Sequence, residues 1–175
     1  TDVEYAENWG GVIKLIGQVK KQTSGKLQII VCPMFVPAES QLSSVDDVFN
    51  GILVRGDATG DVVFYGKGAG KLPTASAVVS DVIDCARHQG KVIMCFWDKE
   101  EVKLADIGEA ERSFFIRAKA GAEDAVTAAF PGGRMVHLKD RKEDFGYFTQ
   151  SMKEKDFQAK YEALGGQMLG RIRLV

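Results

Sequence analysis

An α+β fold is predicted: a mixed sheet with covering helices, followed by a ferredoxin-like βαββαβ domain. Three observations carry that reading. The 175 residues are 45% hydrophobic, enough for one large domain or two small ones. Short β-branched runs alternate with amphipathic stretches along the chain. The last 62 or so residues read strand, helix, strand, strand, helix, strand, the split βαβ order. The net charge of −1 gives no polybasic field for nucleic acid or acidic lipid. No apolar run approaches the length of a membrane span. Three cysteines, Cys32, Cys85 and Cys95, without CxxC spacing speak against a disulfide framework or a structural zinc. A reduced, cytoplasmic setting is expected, and no metal site.

Thr1-Asp2-Val3-Glu4 has the form of a capping box. Val3, Ala6, Val12, Ile13, Ile16 and Val19 follow helical spacing, which predicts a helix to about Lys21 with a weak point at Gly10-Gly11. Lys26–Cys32 reads as a strand buried on both faces and stopped by Pro33, and residues 33–44 as an ordered loop. Asn50–Arg55 and Asp61–Tyr65 predict a hairpin closed by residues 56–60. After Gly66-Lys67-Gly68-Ala69-Gly70-Lys71 comes a helix over about 74–87. Ala77, Val78, Val82, Ile83 and Cys85 form its apolar stripe, which makes Cys85 an inert buried thiol. Residues 91–111 read as a connector in which Val92–Trp97 could form a strand. Then follow strand Phe114–Lys119, helix Glu123–Phe130, strands Met135–Leu138 and Gly146–Met152, helix Asp156–Leu164 and strand Met168–Val175. The domain limits set this way are 1–90, 91–111 and 112–175.

The strand–GKGAG–helix junction is the most informative local feature. Glycines ahead of a helix N-terminus let an anion approach free N–H groups at the positive end of the helix dipole. The spacing is neither a P-loop, because Leu72 follows Lys71, nor G-x-G-x-x-G. Residue types alone leave two readings open: a tight turn using glycine for positive φ, or a cofactor-contacting loop. His88 reads as a solvated helix end, and His137 has no ligand at metal spacing. Asp46-Asp47 and Glu100-Glu101 are adjacent pairs that diverge. No catalytic residue is assigned.

The run from Val48-Phe49-Asn50-Gly51 to Gly56-Asp57-Ala58-Thr59-Gly60 closely resembles the homoserine dehydrogenase family. So does Tyr65-Gly66-Lys67-Gly68-Ala69-Gly70, continued by Pro73-Thr74-Ala75-Ser76-Ala77-Val78-Val79. Pro33-Met34-Phe35-Val36-Pro37 and residues 1–15 are similar to upstream family segments. The resemblance implies an NAD(P)-dependent oxidoreductase that interconverts L-homoserine and L-aspartate 4-semialdehyde, on the route to threonine, methionine and isoleucine. It implies that Gly70 borders the nicotinamide nucleotide, with Gly68 and Ala69 beside it. The family's dinucleotide-binding domain and catalytic segment have no counterpart here, so the chain reads as the C-terminal portion of such an enzyme, inactive alone. Its second block resembles an ACT regulatory domain, in which Gly121, in Lys119-Ala120-Gly121-Ala122-Glu123, implies an amino-acid effector such as threonine. A homodimer is expected. The other reading is a free-standing amino-acid-binding or oligomerisation module.

Overall fold

The computed structural model describes residues 1–91 and 96–175. It holds two compact units, one of Thr1–Glu39 with Val102–Val175 and one of Ser40–Glu101. The packing therefore divides the chain elsewhere than the limits 1–90 and 112–175. The reason is a sheet that recruits strands from both ends of the chain.

In the first unit, helix α1 (Asp2–Trp9) lasts two turns and stops at Gly10, whose φ of 93° is the left-handed conformation open to glycine. The helix expected to reach Lys21 is thus corrected. Strand β1 (Gly11–Lys21) starts at once and pairs antiparallel with β2 (Leu27–Pro37) along its whole length. Val12, Ile13, Ile16 and Val19 are β-branched, and a full-length partner favours the pleated form over the helical spacing. A Cβ at Gly11 would lie 2.4 Å from the Val36 carbonyl oxygen, so the turn from helix to strand needs glycine there. Thr1 is the N-cap as expected, but its side chain makes no capping bond.

Strand β2 runs through Pro33 instead of stopping before it. Strand β10 (Met168–Leu174) pairs with β2 only at Met34 and Phe35, in parallel. The stretch holding Pro33 thus has a strand on one side only, where proline is tolerated. Nor is β2 buried on both faces: Gln28 and Met34 are buried, while Ile29 and Val31 are 49% and 69% exposed.

Strand β5 (Glu111–Arg112) leads to β6 (Phe114–Lys119), helix α3 (Glu123–Ala129), β7 (Arg134–Val136), β8 (Asp144–Phe148), β9 (Met152–Lys153) and helix α4 (Glu154–Leu164) before β10. The six-stranded sheet has the order β1-β2-β10-β6-β8-β7. Its last four members reproduce the expected split βαβ arrangement. Two strand limits differ from expectation. Strand β7 ends at Val136, and the run expected over 146–152 breaks after Phe148, its tail becoming β9 against β5. The Val92–Trp97 run falls mostly outside the described residues; Phe96 and Trp97 are exposed and in no strand.

Side-chain alternation gives this sheet two cores. Phe114, Ile116, Phe145 and Tyr147 face α3 and α4, meeting Val126, Phe130 and Phe157. Phe115 and Phe148 face the other way and meet Tyr5, Ala6 and Phe35. Burying each such aromatic ring stabilises the fold by about 1.5–3 kcal/mol. Helix α1 approaches closely because β8 carries Gly146, where a Cβ would sit 2.8 Å from both the Tyr5 and the Phe115 ring.

A buried carboxylate fixes α1 in place. Asp144 is 2% exposed. Its Oδ1 accepts from the Tyr5 hydroxyl at 2.9 Å and from Arg141 Nε at 3.0 Å. Its Oδ2 accepts from Arg141 Nη2 at 3.0 Å and Arg117 Nη1 at 3.1 Å. Arg117 Nε also donates to Asp2 at 2.8 Å. These bonds, the forked pair from Arg141 foremost, hold the Asp144 carboxyl down at about 2. Burial, reinforced by Asp144, raises the Tyr5 hydroxyl.

In the second unit, β3 (Phe49–Gly56) and β4 (Gly60–Lys67) form the expected hairpin. Helix α2 (Lys71–Arg87) follows, three residues longer at its start than predicted. Its stripe is a correction: every α2 residue is exposed except the half-buried Pro73, Cys85 included. The amphipathic pattern is present, but this chain does not cover it. Among the described residues no helix is long and apolar enough to cross a membrane.

Asp144→Asn is expected to lower unfolding stability by about 3 kcal/mol, since it strips the charge that two partly buried guanidiniums share. Urea titration reads this. A depressed carboxyl pKa stabilises the folded state above the unfolded value, 3.8, and that contribution is lost as pH falls toward about 2. The wild-type stability should therefore drop through this window, and the Asn variant should show a shallower slope there.

Candidate functional site

The junction between β4 and α2 is built from the hairpin outward. Phe49 and Tyr65 stack across β3 and β4 with centroids 4.8 Å apart, and Lys67 Nζ sits 5.5 Å from the Phe49 ring centre. The chain then turns sharply. At Gly68 a Cβ would meet the end of the exposed Asn50 side chain at 2.2 Å, so a larger residue there would have to push that amide aside. At Gly70 glycine is required by conformation: φ is 116° and ψ 157°, and Gly70 is the N-cap of α2. The Thr74 N–H donates to the Gly70 carbonyl at 3.1 Å and closes the first helical turn. Pro73 lies in that first turn, where its missing N–H costs nothing.

Beside the turn lies an open pocket of about 650 Å³, lined by Val48, Lys67, Ala69, Gly70, Lys71, Leu72, Pro73 and Ser76. Val48, Leu72 and Pro73 give it an apolar wall. Lys67 and Lys71 give it positive charge, and no carboxylate lies among these lining residues. The first turn of α2 carries no acidic residue, so its free N–H groups and dipole add to the field. Apolar surface beside two cations and a helix N-terminus suits a ligand with an anionic group and a flat apolar part.

Of the residues singled out from sequence, Ala69 and Gly70 line the pocket, while Gly68 shapes the turn against Asn50. Gly121 lies in the other unit, in the turn between β6 and α3, with φ of 91°. The Ala122 N–H there donates to the Lys119 carbonyl at 3.2 Å. Sequence reasoning passed over Lys67, Val48 and Ser76, although all three lie inside the runs that resemble the family. His88 caps the C-terminal end of α2, its Nδ1 2.9 Å from the Asp84 carbonyl and 3.2 Å from the Asp84 carboxylate. His137 packs beside Phe145. Among the described residues no group of three His, Cys, Asp or Glu could hold a metal.

The family model described as homoserine dehydrogenase matches residues 1–83, the stretch that holds α1, both hairpins, the turn and most of α2. A homoserine dehydrogenase of Helicobacter pylori is 37% identical over 125 residues, 71% of this chain and 30% of that protein. The one of Neisseria gonorrhoeae is 46% identical over 86 residues, 49% of this chain and 20% of its own length. The chain thus spans about a fifth to a third of these curated relatives. In structure, a homoserine dehydrogenase from Thiobacillus denitrificans superposes over 99% of this chain and 44% of its own, with a TM-score of 0.78 at 26% identity. One from S. aureus does so with a TM-score of 0.72 at 28% identity, again over 44% of its length. Residues 1–83 therefore belong to the homoserine dehydrogenase family, and the chain from end to end shares the fold of its solved members.

Proposed function

We propose that the chain works as the C-terminal portion of a cytoplasmic homoserine dehydrogenase, the NAD(P)-dependent oxidoreductase that interconverts L-homoserine and L-aspartate 4-semialdehyde. In this reading it supplies one border of the nucleotide site, a dimer surface and an amino-acid-responsive tail. The observation that carries it is the β4–α2 turn, where a positive-φ Gly70 opens a pocket flanked by Lys67 and Lys71. The matched portion of each relative is the smaller part. The catalytic residues and most of the nucleotide contacts are therefore expected from the part without a counterpart here.

The residues present fit a nicotinamide nucleotide. Gly70 and Ala69 leave the approach free of side chain, and the two lysines with the α2 N-terminus suit its phosphates. When bound, the nicotinamide nucleotide would supply the hydride chemistry of the reaction. Lys67 would offer charge to an anionic group, while Val48, Leu72 and Pro73 would keep water from an apolar ring.

The exposed apolar face of the β1–β2 hairpin supports a homodimer. Leu15 and Val19 are 74% and 65% exposed, and their cross-strand neighbours Ile29 and Val31 share that face. A second copy of the chain would bury it. The β10-β6-β8-β7 order supports an ACT-like tail, with Gly121 at the effector-binding turn and threonine as the first ligand to try.

The test is a chimera in which this chain replaces the matching portion of the Helicobacter pylori relative. It should oxidise homoserine with reduction of NAD(P) and sediment as a dimer, whereas the 175-residue chain alone should be inactive. Gly70→Val in the chimera places a β-branched side chain at positive φ beside the nucleotide. It should lower kcat/KM by about 100-fold, the cost of a misplaced reactant, with the loss appearing for the nucleotide more than for homoserine. A folded chimera without activity, or activity in the chain alone, would overturn the proposal.

A further inference from the structure

A second polar cluster lies in the first unit, where side chains of β1, β2, β5, β10 and the start of α4 meet. Its members are Gln18, Gln28, Arg112, Glu154 and Arg173. Arg173 takes most of what Glu154 offers: its Nε lies 3.1 and 3.2 Å from the two carboxylate oxygens, and its Nη2 donates to Oε1 as well. Arg112 Nε stops 3.9 Å from the same carboxylate, beyond hydrogen-bond length. Arg112 is held from the other side, where its Nη2 donates to Gln18 Oε1 at 2.9 Å and to Gln28 Oε1 at 3.4 Å.

The cluster is short of acceptors. The Arg112 side chain is 7% exposed and Gln28 is 6% exposed, yet Arg112 Nε–H and the Gln28 Nε2 amide group find no acceptor among the described residues. Both groups are donors, and they belong to side chains that touch. Turning the Gln28 amide over would set donor against donor, so the deficit stands whichever way that amide points. Buried N–H groups without a partner are costly. The charge is unbalanced in the same sense. Two guanidiniums share the Glu154 carboxylate, which leaves one positive charge over. The sharing is unequal: hydrogen bonds to Glu154 hold the Arg173 guanidinium above its ordinary value, while burial pushes that of Arg112 below it.

We propose that the cluster binds a small monovalent anion of about the size of chloride, which accepts from Arg112 Nε–H and from the Gln28 amide beside it. Unpaired donors call for an acceptor, and the spare positive charge calls for a negative one. A halide meets both needs and brings no hydrogens that require acceptors of their own. A water molecule would serve the donors but leave the charge as it is. With both donor side chains more than nine-tenths buried, a single atom fits better than a polyatomic ion. The occupied site would join the glutamine of β2 to the arginine of β5 and so strengthen the seam between the outer hairpin and the βαββαβ block.

The experiment unfolds the 175-residue chain with urea in sodium chloride and, at equal concentrations, in sodium methanesulfonate, whose anion is too large for the site. Binding to the folded state alone should lower the unfolding constant by about tenfold for each tenfold rise in chloride once the site is mostly filled, beyond any change in methanesulfonate. Arg112→Met should remove this excess. Equal stability in the two salts would overturn the proposal, as would an excess that survives in a folded Arg112→Met chain. Crystals of the wild-type chain grown in sodium bromide test the location without any variant. Anomalous scattering should place bromide within hydrogen-bond distance of Arg112 Nε and Gln28 Nε2. Density there without an anomalous signal identifies a water and overturns the assignment.

Discussion

The first unit is organised around the Asp144 carboxylate. A charge on a residue 2% exposed is tolerable only with full pairing, and its four bonds come from three separate places in the chain. Tyr5 lies 139 positions away in sequence. Meeting that bond lays the Tyr5 ring over Phe115, in the slot that Gly146 leaves open. Trp9, one turn on, then stacks on Phe148. The helix must end there, and Gly10 redirects the chain into β1. The outer hairpin is thereby delivered to the edge of the βαββαβ sheet, where β2 meets β10.

Elements that depend on near neighbours were legible in the residues. Strand β6, helices α3 and α4, strand β10 and the β3–β4 hairpin each carry their own periodicity and turn glycines, and each lies within a few residues of its expected place. What failed depended on distant partners. Residues 12–21 have apolar positions compatible with both a helix and a strand, and only the pairing with residues 27–37 decides. Pro33 signalled a strand end because nothing local shows that one flank of β2 lacks a neighbour. The Asp144 cluster has no spacing signature, since its members span residues 2 to 144. The two-unit division was hidden for the same reason: the sheet closes between residues 34 and 173.

The site divides similarly. The turn glycines announced themselves, and the structure separates what they do: Gly68 yields to Asn50, and Gly70 adopts positive φ. The lysines that set the pocket's charge were in plain view but had no reason to be chosen until the turn placed them on its wall. The apolar stripe of α2 is legible in the spacing of its residues, but its exposure is not. A seventeen-residue helix exposed at every position but Pro73, with Val78, Val82 and Ile83 on its surface, has the character of a docking face. That agrees with a chain matching only part of its relatives.

Residues 1–39 and 102–175 fold as one cooperative unit through the Asp144 pairing and the β2–β10 contact. Native-state hydrogen exchange in rising denaturant tests this most directly. In one cooperative unit, the slowest amides of α1, of β2 near Met34 and Phe35, and of β6 and β8 converge on one opening free energy. Cooperativity is contradicted if the α1 and β2 amides open together at a distinctly lower free energy while β6 and β8 keep their protection.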